Sequence, residues 1–228
     1  MPVSHQLWDS LLQLHVSTEG WVDYIGIRED SARLNSYLQT LSRHHPNQKN
    51  WSEPDQIAYW INAYNAFTVY LVVQHYPVGS IKDIRRGIPF VNSVWDLKFI
   101  EIEDRTYNLN NIEHGILRKD FDEPRIHFAI NCASVSCPKL LNRAYTAGML
   151  NEQLNQAAKS FLTDTTRNRI SSQKMELSKI FSWFKGDFVK KGAPLTDFIN
   201  RHITEPVPPQ TPIVFLEYNW SLNDQPSE

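Results

Sequence analysis

A single α+β domain is predicted from three features of the sequence: a helix near residues 54–75 that is apolar on nearly every side, an alternating segment at 126–131, and an apolar run at 213–218. The first reads as a central buried helix, and the other two as strands of a mainly antiparallel sheet packed on it. The 228 residues are 41% hydrophobic and 12% aromatic, with seven Trp, enough apolar material for one substantial core. No change of composition divides the chain, so residues 1–228 form one domain, with 1–50 as a helical N-terminal part and 51–223 as the core.

The elements follow in order. Leu7, Trp8, Leu11, Leu12 and Leu14 recur at helical spacing, and Trp21 to Tyr24 after Gly20 suggests a short extended piece. Ser31 can cap a helix whose apolar face is Leu34, Tyr37, Leu38 and Leu41, with His44-His45-Pro46 ending it. Ser52-Glu53-Pro54-Asp55 suits a first helical turn, and Tyr76-Pro77 stops the long helix. Asn62 and Asn65 share a face of it, where each amide needs partners, so they either line a cleft or hold backbone elements together. Val94-Trp95 and Phe99 to Ile102 read as strands, the latter in a hairpin that turns at Asp104-Arg105. Helices are expected from Asn110 to Arg118, Leu150 to Leu162 and Leu195 to Ile203, with strands at Met175–Ser178 and Ile213–Glu217.

The net charge of −2 and the even scatter of basic residues exclude a nucleic-acid footprint. The apolar stretch from Ala66 to Val73 is far short of the ~20 residues needed to span a bilayer, so no membrane span is expected. The first eight residues lack a basic region followed by an apolar run. The expectation is therefore a soluble protein, either cytoplasmic or exported with its signal peptide absent from this sequence. No motif calls for a cofactor. The expected partner is a small-molecule or peptide ligand, with the oligomeric state left open.

Chemistry concentrates in Arg125 to Pro138, which holds His127 and the only two cysteines, Cys132 and Cys137, within eleven residues. Ile126, Phe128 and Ile130 alternate with His127, Ala129 and Asn131, so His127 is expected on the polar face of a strand, with a loop following Asn131.

Asn62-Ala63-Tyr64-Asn65-Ala66, Ile112 to Arg118, Arg125 to Ala129, Asn131-Cys132 and Ser136-Cys137-Pro138 occur in that order, and together they resemble the domain-of-unknown-function family 547. The likeness extends to Asp164 to Asn168, Leu177 to Phe188, Tyr218 to Asn223 and the region from Trp8 to Leu41, essentially the whole chain. It implies a shared fold and site but no established activity, and export for many bacterial members.

Three readings of the site stay open. In the first, Cys132 or Cys137 is the nucleophile of a hydrolase or acyl transferase, His127 is its base, and Glu113 or Asn62 orients the imidazole. A helix bearing Asn62 on a strand bearing His127 is distantly similar to papain-like and transglutaminase-like enzymes, although those place the cysteine at the helix start. In the second, a non-catalytic binding module uses Cys132 and Cys137 structurally, as a disulfide or as buried thiols. The third is a metal site of His114, His127, Cys132 and Cys137, whose spacing lacks a C-x2-C knuckle. Asn65, His114, Arg118 and Arg125 are candidates for binding substrate. If these arginines converged with Arg86 and Arg167, they would select a carboxylate or phosphate. Trp60, Trp95, Trp183 and Trp220 are assigned to packing.

Overall fold

In the computed structural model, residues 1–84, 93–189 and 192–226 are described; Arg86 lies outside them. The N-terminal part is helical: α1 (Gln6–His15), α2 (Tyr24–Glu29) and α3 (Ser31–Ser42). The extended piece expected at 21–24 reduces to bridges from Val22 to Val16 and Asp224, because Tyr24 already opens α2. Asp23 caps that helix by accepting from Gly26 N, whereas α3 starts at Ser31 with no side-chain cap.

The central helix α4 (Glu53–His75) begins where the sequence places it. Ser52 Oγ accepts from Asp55 N at 3.3 Å and the Asp55 carboxylate accepts from Ser52 N at 3.1 Å, with Pro54 in the first turn. From Ile57 to Val69 every residue is buried, and the helix packs against α2, α3 and the segment 111–117. Its two asparagines are clamps. Asn62 donates to Tyr145 O (2.8 Å) and accepts from Tyr145 N (3.0 Å). Asn65 donates to Ala129 O (2.9 Å) and accepts from Asn131 N (2.8 Å), which fixes the loop that leads to Cys132.

The hairpin forms as β1 (Ile100–Ile102) and β2 (Arg105–Tyr107). Val94–Asp96 is a 3-10 turn rather than a strand, closed by reciprocal bonds between Ser93 and Asp96. Residues Asn111–Leu117 wind as a π-helix and continue into α5 (Arg118–Asp120). Asn108 and Asn111 start it by each accepting from the other's backbone N–H. The remaining elements are α6 (Leu150–Thr163), β3 (Arg169–Ile170), β4 (Met175–Leu177), α7 (Ile180–Trp183), α8 (Lys185–Phe188), α9 (Leu195–Asn200) and β5 (Ile213–Phe215). β4 pairs antiparallel with β3 and parallel with β5, since α7 to α9 supply a connection long enough for a parallel return. Among the described residues no helix is long and apolar enough to cross a membrane.

One expectation fails at the most informative place. Residues 126–131 lie outside both sheets, and Pro124–Phe128 is a 3-10 helix. Pro124 pre-sets its first turn and the Glu123 side chain accepts from Arg125 N. Alternation there does not mark two faces, because Ile126 to Ile130 are all buried. The turn also joins the two halves of the core: Ile126, Ala129 and Ile130 pack into the cluster around α4, and Phe128 into the cluster of α6, β4 and α7 to α9. Four further rings, Phe161, Phe181, Phe188 and Phe198, lie 5.1 to 6.0 Å from Phe128.

Candidate functional site

The seam between the two clusters holds a cavity of about 290 Å³, a position where side chains from separate packing units can converge. One wall comes from the loop after the 3-10 turn. Its backbone is pinned by the Asn65 clamp, by Asn131 Nδ2 donating to Pro138 O (2.7 Å), and by Arg167 donating to Cys137 O (2.8 Å) and Val135 O (2.7 Å). Ala133, directly after Cys132, sits in the left-handed region at φ 57°, the bend that turns the chain back on itself.

Both cysteines line the cavity as free thiols with their sulfurs 2.9 Å apart. Cys132 Sγ also lies 3.2 Å from Ser134 Oγ and 3.3 Å from Tyr218 Oη. Cys137 is the deeper of the two and accepts the Cys132 N–H at 2.9 Å. The proton shared by the sulfurs therefore rests on Cys137, since Tyr218 acts on both sulfurs while Cys132 is the less buried and alone also meets Ser134. Donation from Cys137, aided by Ser134 and Tyr218, outweighs burial and brings the Cys132 thiol down to about 7. Burial and the adjacent Cys132 charge push Cys137 well up.

The π-helix supplies the second wall through Glu113 and His114. π-turns within helices often mark functional positions. Glu113 is buried with Tyr64 Oη 3.3 Å from its carboxyl. Desolvation, reinforced by the Cys132 charge, raises it to about 7. His114 Nδ1 accepts from Arg118 at 2.6 Å, and burial with that guanidinium lowers its pKa.

His127 lines the third side, stacked on Phe184 with ring centroids 4.0 Å apart. Its Nε2 meets Asp187 Oδ2 at 2.6 Å, and Arg118 forks onto the same carboxylate through Nε (2.6 Å) and Nη2 (3.0 Å). Burial alone would raise the Asp187 carboxyl, but bonds from His127 and Arg118 together hold it well below the usual range. Burial lowers His127 despite Asp187, which leaves a neutral ring. With Nε2–H donating to Asp187, the bare lone pair is on Nδ1. Among the described residues no hydrogen bond joins either thiol to a histidine, and no group of three or more His, Cys, Asp or Glu side chains could hold a metal ion.

The structure thus gathers Cys132, Cys137, His127, Glu113 and His114 at one cavity. Asn62 and Asn65 serve backbone groups instead, so neither is the partner that orients His127; that partner is Asp187. Arg118 reaches the site through Asp187, His114 and the ring of Phe184, over which its guanidinium lies at 4.9 Å. Arg125 is tied to Glu123, Asn151 and Asn155, and Arg167 to Asp164 and backbone carbonyls. No Lys or Arg is among the described residues that line the cavity, so Arg118, Arg125 and Arg167 do not converge there. Trp60 is core, but Trp95, Trp183 and Trp220 line the cavity. The sequence reading missed Asp187, Tyr64, Ser134 and Tyr218. The one available signal was Asp187 itself, an acid set in the aromatic run Phe181 to Phe188.

A family model described as "Protein of unknown function, DUF547" matches residues 48–162, half of the chain. That segment carries both thiols, His127, Glu113 and His114, whereas Asp187, Trp183, Tyr218 and Trp220 lie beyond it. No curated protein and no solved structure matches the chain.

Proposed function

We propose, for a chain that belongs to the DUF547 family of unknown function, a cysteine-dependent hydrolase or acyl-transferase activity with Cys132 as the nucleophile. One observation carries the reading: Cys132 Sγ opens on a cavity while the Cys137 thiol and two linked hydroxyls, Ser134 donating to Tyr218 at 3.1 Å, lie within 3.3 Å of it. These neighbours favour a thiolate without a histidine hydrogen-bonded to it. The plan therefore differs from the papain-like and transglutaminase-like one, because the thiols lie on the loop after Asn131 and not at the start of a helix.

In the first step Cys132 S⁻ attacks an acyl carbon, and the bond to the leaving group breaks as Glu113, protonated over part of the neutral range, gives up its proton. In the second, water or another acceptor takes the acyl group while His127 Nδ1, held by Asp187, receives the proton. A ligand-holding module with structural thiols remains the competing reading, favoured by the lack of a thiol–histidine bond among the described residues.

The test uses p-nitrophenyl acetate, whose leaving group needs no proton. Acetyl is expected on Cys132 by peptide mass mapping, at a rate that rises as pH passes about 7 and then levels off, and not at all in C132A. Acetylation confined to lysines, or a rate that climbs only near the free-thiol value of about 8.5, would leave the binding module as the better reading.

A further inference from the structure

We propose that Cys132 and Cys137 form a dithiol–disulfide redox centre that reduces small organic disulfides, with Cys132 as the attacking thiol and Cys137 as the resolving thiol. The inference rests on the reading of Cys132 as a reactive thiol and assigns Cys137 a task that acyl transfer does not use.

Geometry carries it. The sulfurs are 2.9 Å apart, so the ~2.05 Å bond of a disulfide needs under an ångström of approach. The backbone between them is already folded for it: Cys137 N donates to Ser134 O at 3.0 Å, and both ends of the loop are clamped by Asn131 and Arg167. Exposure is unequal in the sense the task requires. Cys132 is half-buried and faces the cavity, whereas Cys137 is 4% exposed and within reach chiefly of a neighbour already bonded to Cys132. An attacking thiol with depressed pKa beside a buried partner is the order in which exchange runs forward.

The steps balance. Cys132 S⁻ attacks one sulfur of RSSR, forming Cys132–S–SR and releasing RS⁻, which takes a proton from water. Cys137 SH then attacks Cys132 Sγ, the bond to SR breaks, and the Cys137 proton leaves with it as RSH. The dithiol is oxidised by two electrons and the substrate is reduced to two thiols. A cavity of about 290 Å³ walled by Trp95, Trp183 and Trp220 suits a small uncharged disulfide, and 2-hydroxyethyl disulfide is the probe of choice.

Fully reduced protein is mixed with that probe and followed by intact mass and non-reducing peptide mapping. Wild type is expected to lose two hydrogens and yield a Cys132–Cys137 cross-linked peptide, with no lasting adduct. C137S, which keeps a hydroxyl donor next to Cys132, is expected to stop at the mixed disulfide on Cys132, and C132S to remain unmodified. A lasting adduct on wild type, or an adduct on Cys137 in C132S at the wild-type rate, overturns the proposal. If Cys132 is acetylated by p-nitrophenyl acetate yet no cross-link forms, only the redox assignment fails; if Cys132 takes neither reagent, both readings fail.

Discussion

Asp187→Asn is expected to slow loss of the acetyl group from Cys132 by about 10²-fold or more, the usual contribution of a positioned general base, while acetylation of Cys132 itself changes little. His127 Nε2 and Arg118 Nε share Oδ2, so the amide would keep its carbonyl oxygen there and turn its NH2 towards Arg118 Nη2. The imidazole would keep its tautomer but lose the negative charge that stabilises the ring once Nδ1 has taken a proton, which makes it a weaker base. Stopped-flow absorbance for the acetylation burst, with mass analysis for acetyl decay, separates the two steps. A structural defect would depress both together and would lower Tm. The pair is a quarter exposed on each side, so solvent screening keeps its own loss of stability to roughly 1–2 kcal/mol.

Asn65→Leu is expected to lose about 4 kcal/mol of folding stability. The side chain is 2% exposed and bonded to two buried backbone groups, Ala129 O and Asn131 N. Leucine would leave both without partners, at roughly 1–3 kcal/mol each. For a chain of this size, that is a fall in Tm on the order of 8–16 °C. A thermal melt followed by circular dichroism reads it directly, and a fall under about 2 °C would mean that the two backbone groups find other partners. Asn62→Leu, which frees Tyr145 N and O in the same way, is the matched comparison.

How far the fold was legible in sequence depended on whether the signal was local. The limits of α4 rest on Ser52, Pro54 and Asp55 at one end and Tyr76-Pro77 at the other, so they were readable within a few residues. The β1–β2 hairpin and α6 carry their own periodicity. α2 was missed because six residues containing Gly26 give too short a pattern. The His127 segment was misread because apolar alternation marks a strand only when one face meets water, and both faces here are covered. The same limit governs the site. Two thiols and a histidine were visible as a cluster because one loop carries them. Asp187 lies 60 residues from His127, and Tyr218 lies 86 from Cys132. Only the packing of α7, α8 and the C-terminal segment against the loop brings them in, and the pattern of a single sequence does not encode that long-range placement.

The most direct measurement is pH-resolved alkylation of the reduced native protein with iodoacetamide, with Cys132 and Cys137 quantified separately by peptide mapping. The sign follows from the thiolate being the reactive form: Cys132 labelling should fade as pH drops through about 7, and Cys137 should stay unlabelled well above neutrality. Equal labelling of the two cysteines with a midpoint near the ordinary ~8.5, or no labelling of Cys132 until the protein unfolds, would contradict an activated thiol at this cavity.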